Sequence, residues 1–189
     1  MRTQIAQIRN TGMSMEKIKK ILAPTDLSEL SRPGVRHALE FARAVGAKVT
    51  VYHVISLNEL VQLYNEVGKG LDAGVALHAF HHPLETSCRA LNRFLKRHFS
   101  DLISAVEVEE KVEMGAPDKN IVMLAEEEES DLIVISTHGR TGLSRMLVGS
   151  VTEKVVRHAP CPVLSIHPEP KNALREKSKA VGQGLNTLV

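Results

Sequence analysis

The chain has 189 residues, 43% hydrophobic and 24% charged, the balance of a globular domain with a substantial core. Its 24 basic and 22 acidic residues leave a formal charge of +2, too even for a nucleic-acid or membrane surface. Aromatic residues are only 3% and Trp is absent, which argues against a base-stacking platform.

Residues 1–15, MRTQIAQIRNTGMSM, lack the apolar core of a secretory signal and read as an N-terminal extension, with Met13 and Met15 as alternative starts. No apolar run approaches the ~20 residues that span a bilayer. Cys88 and Cys161 share no short motif and read as two reduced thiols. A cytoplasmic protein is the expectation.

The first strand is predicted from Ile18, Ile21 and Leu22 and stops at Pro24, which cannot donate to a sheet ladder. Pro24-Thr25-Asp26 follows as a loop. The next helix starts at Ser28 or Ser31; Ser31 is the better cap, because it puts Pro33 in the first turn. Val35, Ala38, Leu39, Ala42 and Val45 form its apolar face and Gly46 ends it. Lys48 to Ile55, rich in β-branched residues, reads as a second strand.

Residues 56–83 read as an insertion. Leu57, Leu60, Val61 and Tyr64 suggest a short helix, which Gly68, Gly70 and Gly74 interrupt. A segment of this length is often a lid or an interaction loop. Leu84, Cys88, Leu91 and Leu95 make a helical stripe ending near His98. Ala105 to Met114 alternates with period two and one polar face, as an edge strand does. After Gly115-Ala116-Pro117, a helix from about Asp118 carries Ile121, Val122, Leu124 and Ala125. Its end, Glu126 to Glu129, reads as a solvated acidic face.

Leu132-Ile133-Val134-Ile135 is an unbroken apolar run, the pattern of a central strand buried on both faces. A polar loop with glycines runs from Ser136 to Gly149. Ser150 and Glu153 have the capping-box spacing, which predicts Ser150 as the N-cap of a helix. A strand, a glycine loop and a helix start make an anion site: the first amides lack intrahelical partners and the helix dipole favours negative charge. Val163 to Ile166 is a last short strand, and 168–189 reads as a C-terminal tail.

Alternating strands and helices predict an α/β domain over 16–167, an open five-stranded parallel sheet with helices on both faces. In the order 3-2-1-4-5 the first and fourth strands are neighbours. The winding reverses between them, where such sheets bind ligands. The loops at Pro24–Asp26 and Ser136–Gly139 follow those two strands.

The glycine loop fits neither the dinucleotide fingerprint nor the lysine-bearing phosphate loop. Its pattern is Ser136, two residues, Gly139, nine residues, then Gly149-Ser150. With Ile21–Asp26, Val51-Tyr52-His53-Val54, Met114-Gly115, Ser136–Gly142 and Ala159–Val163, it resembles the universal stress protein family. The nucleotide-binding members of that family carry Gly-x2-Gly-x9-Gly-(Ser/Thr). The resemblance implies the same Rossmann-like, adenine nucleotide α-hydrolase-like fold, and a homodimer paired through the last strand. It implies an ATP, ADP or AMP site in a stress-linked sensor or regulatory module. Pro24, Thr25 and Asp26 then lie beside the adenosine, Asp26 meeting ribose or Mg²⁺, and Val54 lines the adenine. Ser136, Thr137, His138, Gly139, Arg140 and Thr141 wrap the phosphates, with Ser150, Val151 and Thr152 after Gly149 at the helix start. Ser136 departs from the pattern, which has glycine there. That residue either weakens binding or adds a hydroxyl donor.

Two competing readings stay open: a slow ATPase using the same site, and a dimerisation module whose site is vestigial. His78 and His82, with Glu85, have a spacing that could hold zinc. Pro83 interrupts any helix there, so a solvated loop or inter-subunit contact, with His81, is preferred. His138 as a general base ranks below a loop or phosphate contact.

Overall fold

The structure is a computed structural model that describes residues 18–67, 82–138 and 148–167, with residues 63–67 described in their backbone only. Gly139, Arg140 and Thr141 of the expected phosphate loop lie outside the described residues, as do Gly142, His78 and His81.

Strand β1 (Lys20–Pro24) lies at the centre of a five-stranded sheet. On one side it pairs with β2 (Lys48–Ile55), Ile21 opposite Val49; on the other with β4 (Leu132–Ser136), Ile21 opposite Leu132. β3 (Val108–Met114) adds to β2 and β5 (Val163–Ile166) to β4, so the order is β3-β2-β1-β4-β5 with every pair parallel. That is the expected order. β1 and β4 leave the sheet side by side and put the two candidate loops at one crevice.

Parallel strands in the sheet centre bury both faces, and successive side chains alternate between them. Ile21, Ala23, Val49, Val51, Leu132 and Val134 face one apolar layer, where α1 (Arg32–Val45) contributes Val35, Ala38 and Leu39. The same layer takes Leu91, Leu95, Phe99 and Leu102 from α3 (Pro83–Ile103). Leu22, Tyr52, Val54, Ile133 and Ile135 face the other layer. There α4 (Pro117–Glu127) contributes Ile121, Leu124 and Ala125, and α5 (Ser150–His158) contributes Val155. A short helix, α2 (Leu57–Val67), follows β2.

Several local expectations need correction. Helix α3 breaks at Phe99 (φ −139°, ψ 23°), so its first helical run ends at His98 as expected, but a further short helical run carries it on to Ile103 and buries Phe99 and Leu102. Its first turns do not belong to the core, since Leu84 and Cys88 are exposed and packing begins at Leu91. Edge strand β3 begins at Val108, not Ala105. The acidic run is not uniformly solvated: Glu128 takes Lys111 at 3.4 Å and the Thr50 hydroxyl at 3.0 Å.

Ser31 is the N-cap of α1 and Pro33 lies in the first turn, as expected, but the Ser31 side chain caps nothing in its own helix. Its hydroxyl donates to the Ser28 carbonyl (2.9 Å), so the 2.8 Å contact with Thr25 must carry the Thr25 hydrogen. The capping acceptor for α1 comes from the sheet instead. Ser136 Oγ, 102 residues away, accepts the Gly34 amide at 2.9 Å and donates to the Ser31 carbonyl at 3.2 Å.

Candidate functional site

At the end of β1, Pro24 and Thr25 are buried and the Thr25 amide donates to the Tyr52 carbonyl (2.8 Å), extending the sheet by one bond. Thr25 Oγ1 accepts the Leu27 amide (3.1 Å), and Asp26 Oδ1 accepts the Ser28 amide (3.1 Å), a local turn of the kind Asp favours. Leu27 takes φ 63°, a left-handed position held by these flanking bonds. The loop is therefore shaped by its own hydroxyls and carboxylate, with Asp26 half-buried at the crevice.

Across the crevice, β4 ends in Ser136 and Thr137, both buried. Ser136 needs no left-handed backbone; the only non-glycine residues with positive φ among those described are Leu27 and Glu129. Its hydroxyl is engaged by α1 and is not aimed at a phosphate as a spare donor. The close approach falls on Gly34 instead. A Cβ there would meet the Ser136 amide nitrogen at 2.7 Å and its Oγ at 2.9 Å.

Helix α5 starts one residue earlier than predicted. Its N-cap is Gly149, not Ser150, and no side chain caps it. The Gly149 amide donates to the Thr137 carbonyl at 2.6 Å while its own carbonyl accepts the Glu153 amide at 2.9 Å. This pins the helix start to the end of β4 and displaces the Ser150–Glu153 capping box. Glu153 pairs instead with Arg157 (2.9 Å). Thr152 is buried, and its hydroxyl donates to the Ser136 carbonyl at 2.8 Å, a second tie between α5 and β4. Ser150, Val151 and Thr152 form the first turn, whose amides stand outside the intrahelical ladder as at any helix start.

Thr137 Oγ1 meets two imidazoles, His138 Nδ1 at 2.9 Å and His167 Nδ1 at 3.1 Å, with the rings edge to face at 5.1 Å. His167 was not among the candidates. It follows β5, and only the pairing of β5 with β4 brings it beside Thr137. Val54 is buried in the layer under α4 and α5, beside Tyr52. The Tyr52 hydroxyl donates to Glu113 (2.6 Å), and burial with that partner raises its pKa, so it stays a donor. Nearby Gly115, at φ 154°, holds the turn after β3, and a Cβ there would meet the Asn120 side chain.

Among the described residues no three His, Cys, Asp or Glu gather as a metal site. His82 is the N-cap of α3, and Glu85 pairs with Arg89 on the same helix. A single carboxylate such as Asp26 suits Mg²⁺ only when phosphate and water complete its shell.

The chain is an open parallel α/β sheet with a glycine-capped helix start at its switch point, and sheets of this kind take ligands at the carboxyl ends of their strands. The sequence profile of the Universal stress protein family matches residues 17–167. The chain belongs to that family. It is 33% identical over 157 residues to universal stress protein MJ0531 of Methanocaldococcus jannaschii, covering 78% of this chain and 81% of that one. MJ0577 of the same organism is 30% identical over 154 residues, covering 78% and 94%. The solved structure of MJ0577 matches with a TM-score of 0.59 at 29% identity over 81% of this chain and 98% of its own. A universal stress protein solved in complex with cAMP shares the fold, with a TM-score of 0.54 at 24% identity, over 79% and 97%. Among the described residues, no helix is long and apolar enough to cross a membrane.

Proposed function

We propose that the chain binds an adenine nucleotide, with ATP as the first candidate, in the crevice between the β1 and β4 loops. It would work as a stress-linked sensor or regulatory module in the cytoplasm. The observation that carries this reading is the start of α5. Gly149 is held to the Thr137 carbonyl, so the Ser150–Thr152 turn presents its amides and its positive dipole end beyond β4. The Thr152 hydroxyl, donated to the Ser136 carbonyl, fixes that geometry from behind. Asp26, on the facing loop, would take the ribose or a phosphate-bound Mg²⁺, and Val54 would lie under the base. Gly139, Arg140 and Thr141 would complete the phosphate loop. Bound nucleotide would stabilise one arrangement of these loops over another. We also propose a homodimer through the outer edge of β5, the last strand of the sheet, where Leu164 is 41% exposed.

The test is purification without added nucleotide, then denaturation, chromatography of the released small molecules and calorimetric titration with ATP. AMP, ADP or ATP in the released fraction, or a saturable titration, is expected. Gly149→Ala should weaken binding by about tenfold or more, because its Cβ would stand 3.1 Å from the Thr137 carbonyl oxygen and crowd the helix start. An empty protein that also fails to titrate would overturn the nucleotide reading and favour a pure interaction module. Turnover of ATP abolished by Asp26→Ala would make the protein a slow ATPase.

A further inference from the structure

His53 belongs to the Val51–Val54 segment, yet nothing in the nucleotide reading uses it. It is 1% exposed near the end of β2. Its Nδ1 stands 2.9 Å from the Thr25 carbonyl. A carbonyl only accepts, so Nδ1 carries the hydrogen. In a neutral ring Nε2 is then a bare acceptor. Nε2 has no aligned hydrogen-bond partner, although Glu59 Oε1 of α2 is only 3.3 Å away. Two acceptors facing each other at that distance in a buried site repel. A proton on Nε2 turns the same contact into an imidazolium–carboxylate pair that needs only a small rotation to align.

Among the described residues, Glu59 is the carboxylate paired with the ring. On this face of the sheet α1 packs Val35 and Leu39, and α3 packs Leu91 and Leu95. The residue opposite on β3 is Val112. The carbonyl that His53 holds belongs to Thr25, whose amide and hydroxyl shape the loop carrying Asp26. Glu59 sits in the first turn of α2, where Ser56 Oγ accepts its amide at 3.2 Å.

We infer that His53 is a positioning residue, a proton-bearing clip that joins the Thr25 carbonyl to Glu59 and so couples α2 to the Pro24–Asp26 loop. Its effect on ligand affinity rests on the nucleotide reading above; the coupling itself does not. The clip ties the insertion that begins at α2 to one wall of the crevice. A change at either end is felt at the other.

The test reads backbone hydrogen exchange in the nucleotide-free full chain, corrected for intrinsic rates. Glu59→Ala should speed exchange by about tenfold, equal to about 1.4 kcal/mol, in α2 and also at the Leu27 and Ser28 amides. Glu59→Gln supplies an amide N–H that donates to unprotonated Nε2, so it should keep both segments protected without a proton. Wild-type protection should therefore fall as pH is raised and Nε2 loses its proton, while that of Glu59→Gln stays level. Loss of protection in α2 alone, or a wild-type profile as level as that of the glutamine variant, would overturn the clip. ATP titration of the same proteins adds a separate readout. Glu59→Ala should weaken binding by about tenfold and Glu59→Gln should restore it. Failure of the wild type to bind would remove the nucleotide reading and leave the exchange result standing.

Discussion

Ser136→Ala separates a structural serine from a ligand-binding one. The hydroxyl is 5% exposed as part of its residue, accepts the Gly34 amide at 2.9 Å and donates to the Ser31 carbonyl at 3.2 Å. Alanine keeps the strand backbone and removes only this oxygen. The Ser31 carbonyl retains the Val35 amide, at 3.5 Å, so its loss is small. The Gly34 amide, at the third position of α1, is left buried without an acceptor. Loss of a helix-capping acceptor costs about 0.5–2 kcal/mol, and a stranded buried donor about 1–3 kcal/mol. These describe the same bond and are not added, so a destabilisation of about 2 kcal/mol is expected. In a domain of this size that lowers the melting temperature by about 4–8 °C. Urea denaturation should show a lower midpoint at unchanged slope, while nucleotide affinity stays within about twofold of wild type. A variant that keeps its stability within about 0.5 kcal/mol, or that stays stable and loses nucleotide affinity about tenfold, refutes the assignment.

Three further outcomes are expected. Gly34→Ala puts a Cβ 2.7 Å from the Ser136 amide nitrogen, forces α1 off β4 and should destabilise by about 1–3 kcal/mol in the same urea assay. Thr152→Val keeps the shape but leaves the Ser136 carbonyl without its 2.8 Å donor, and thermal unfolding should show a loss of about 1–2 kcal/mol. The Cys161 thiol is pushed up to about 11 by burial and then by Asp131, so a thiol reagent at neutral pH should label exposed Cys88 first and Cys161 only on unfolding. The sign follows: between the ordinary 9.0 and about 11 the unfolded chain has lost a proton that the folded chain keeps, so stability falls as pH rises through that window, and Cys161→Ala flattens the fall.

The sheet was legible because parallel central strands need continuous apolar runs, and Leu132–Ile135 is such a run flanked by polar residues. The alternation of strands and helices then left few topologies. The site was legible in its residues but less so in their duties. Ser150 and Glu153 satisfy a local capping pattern, yet the Thr137 carbonyl, twelve residues upstream of Gly149, decides where α5 begins. Ser31 has the right spacing to cap α1, but its hydroxyl is taken by the Thr25–Ser28 turn, and Ser136 does the capping from the sheet. Neither exchange leaves a periodic trace. A glycine directly after proline in a helix's first turn was the available hint that something approaches there. His167 had no hint at all, since its partners are assembled by strand pairing alone.

The Ser136–Gly34 contact also bears on how this protein can vary. The serine draws α1 against β4 so closely that residue 34 has no room for a side chain. A glycine at 136 would remove the Oγ contact at 2.9 Å but leave the amide nitrogen at 2.7 Å, so it would not by itself admit alanine at 34. Residue 34 is held to glycine by the backbone of β4, whatever side chain stands at 136.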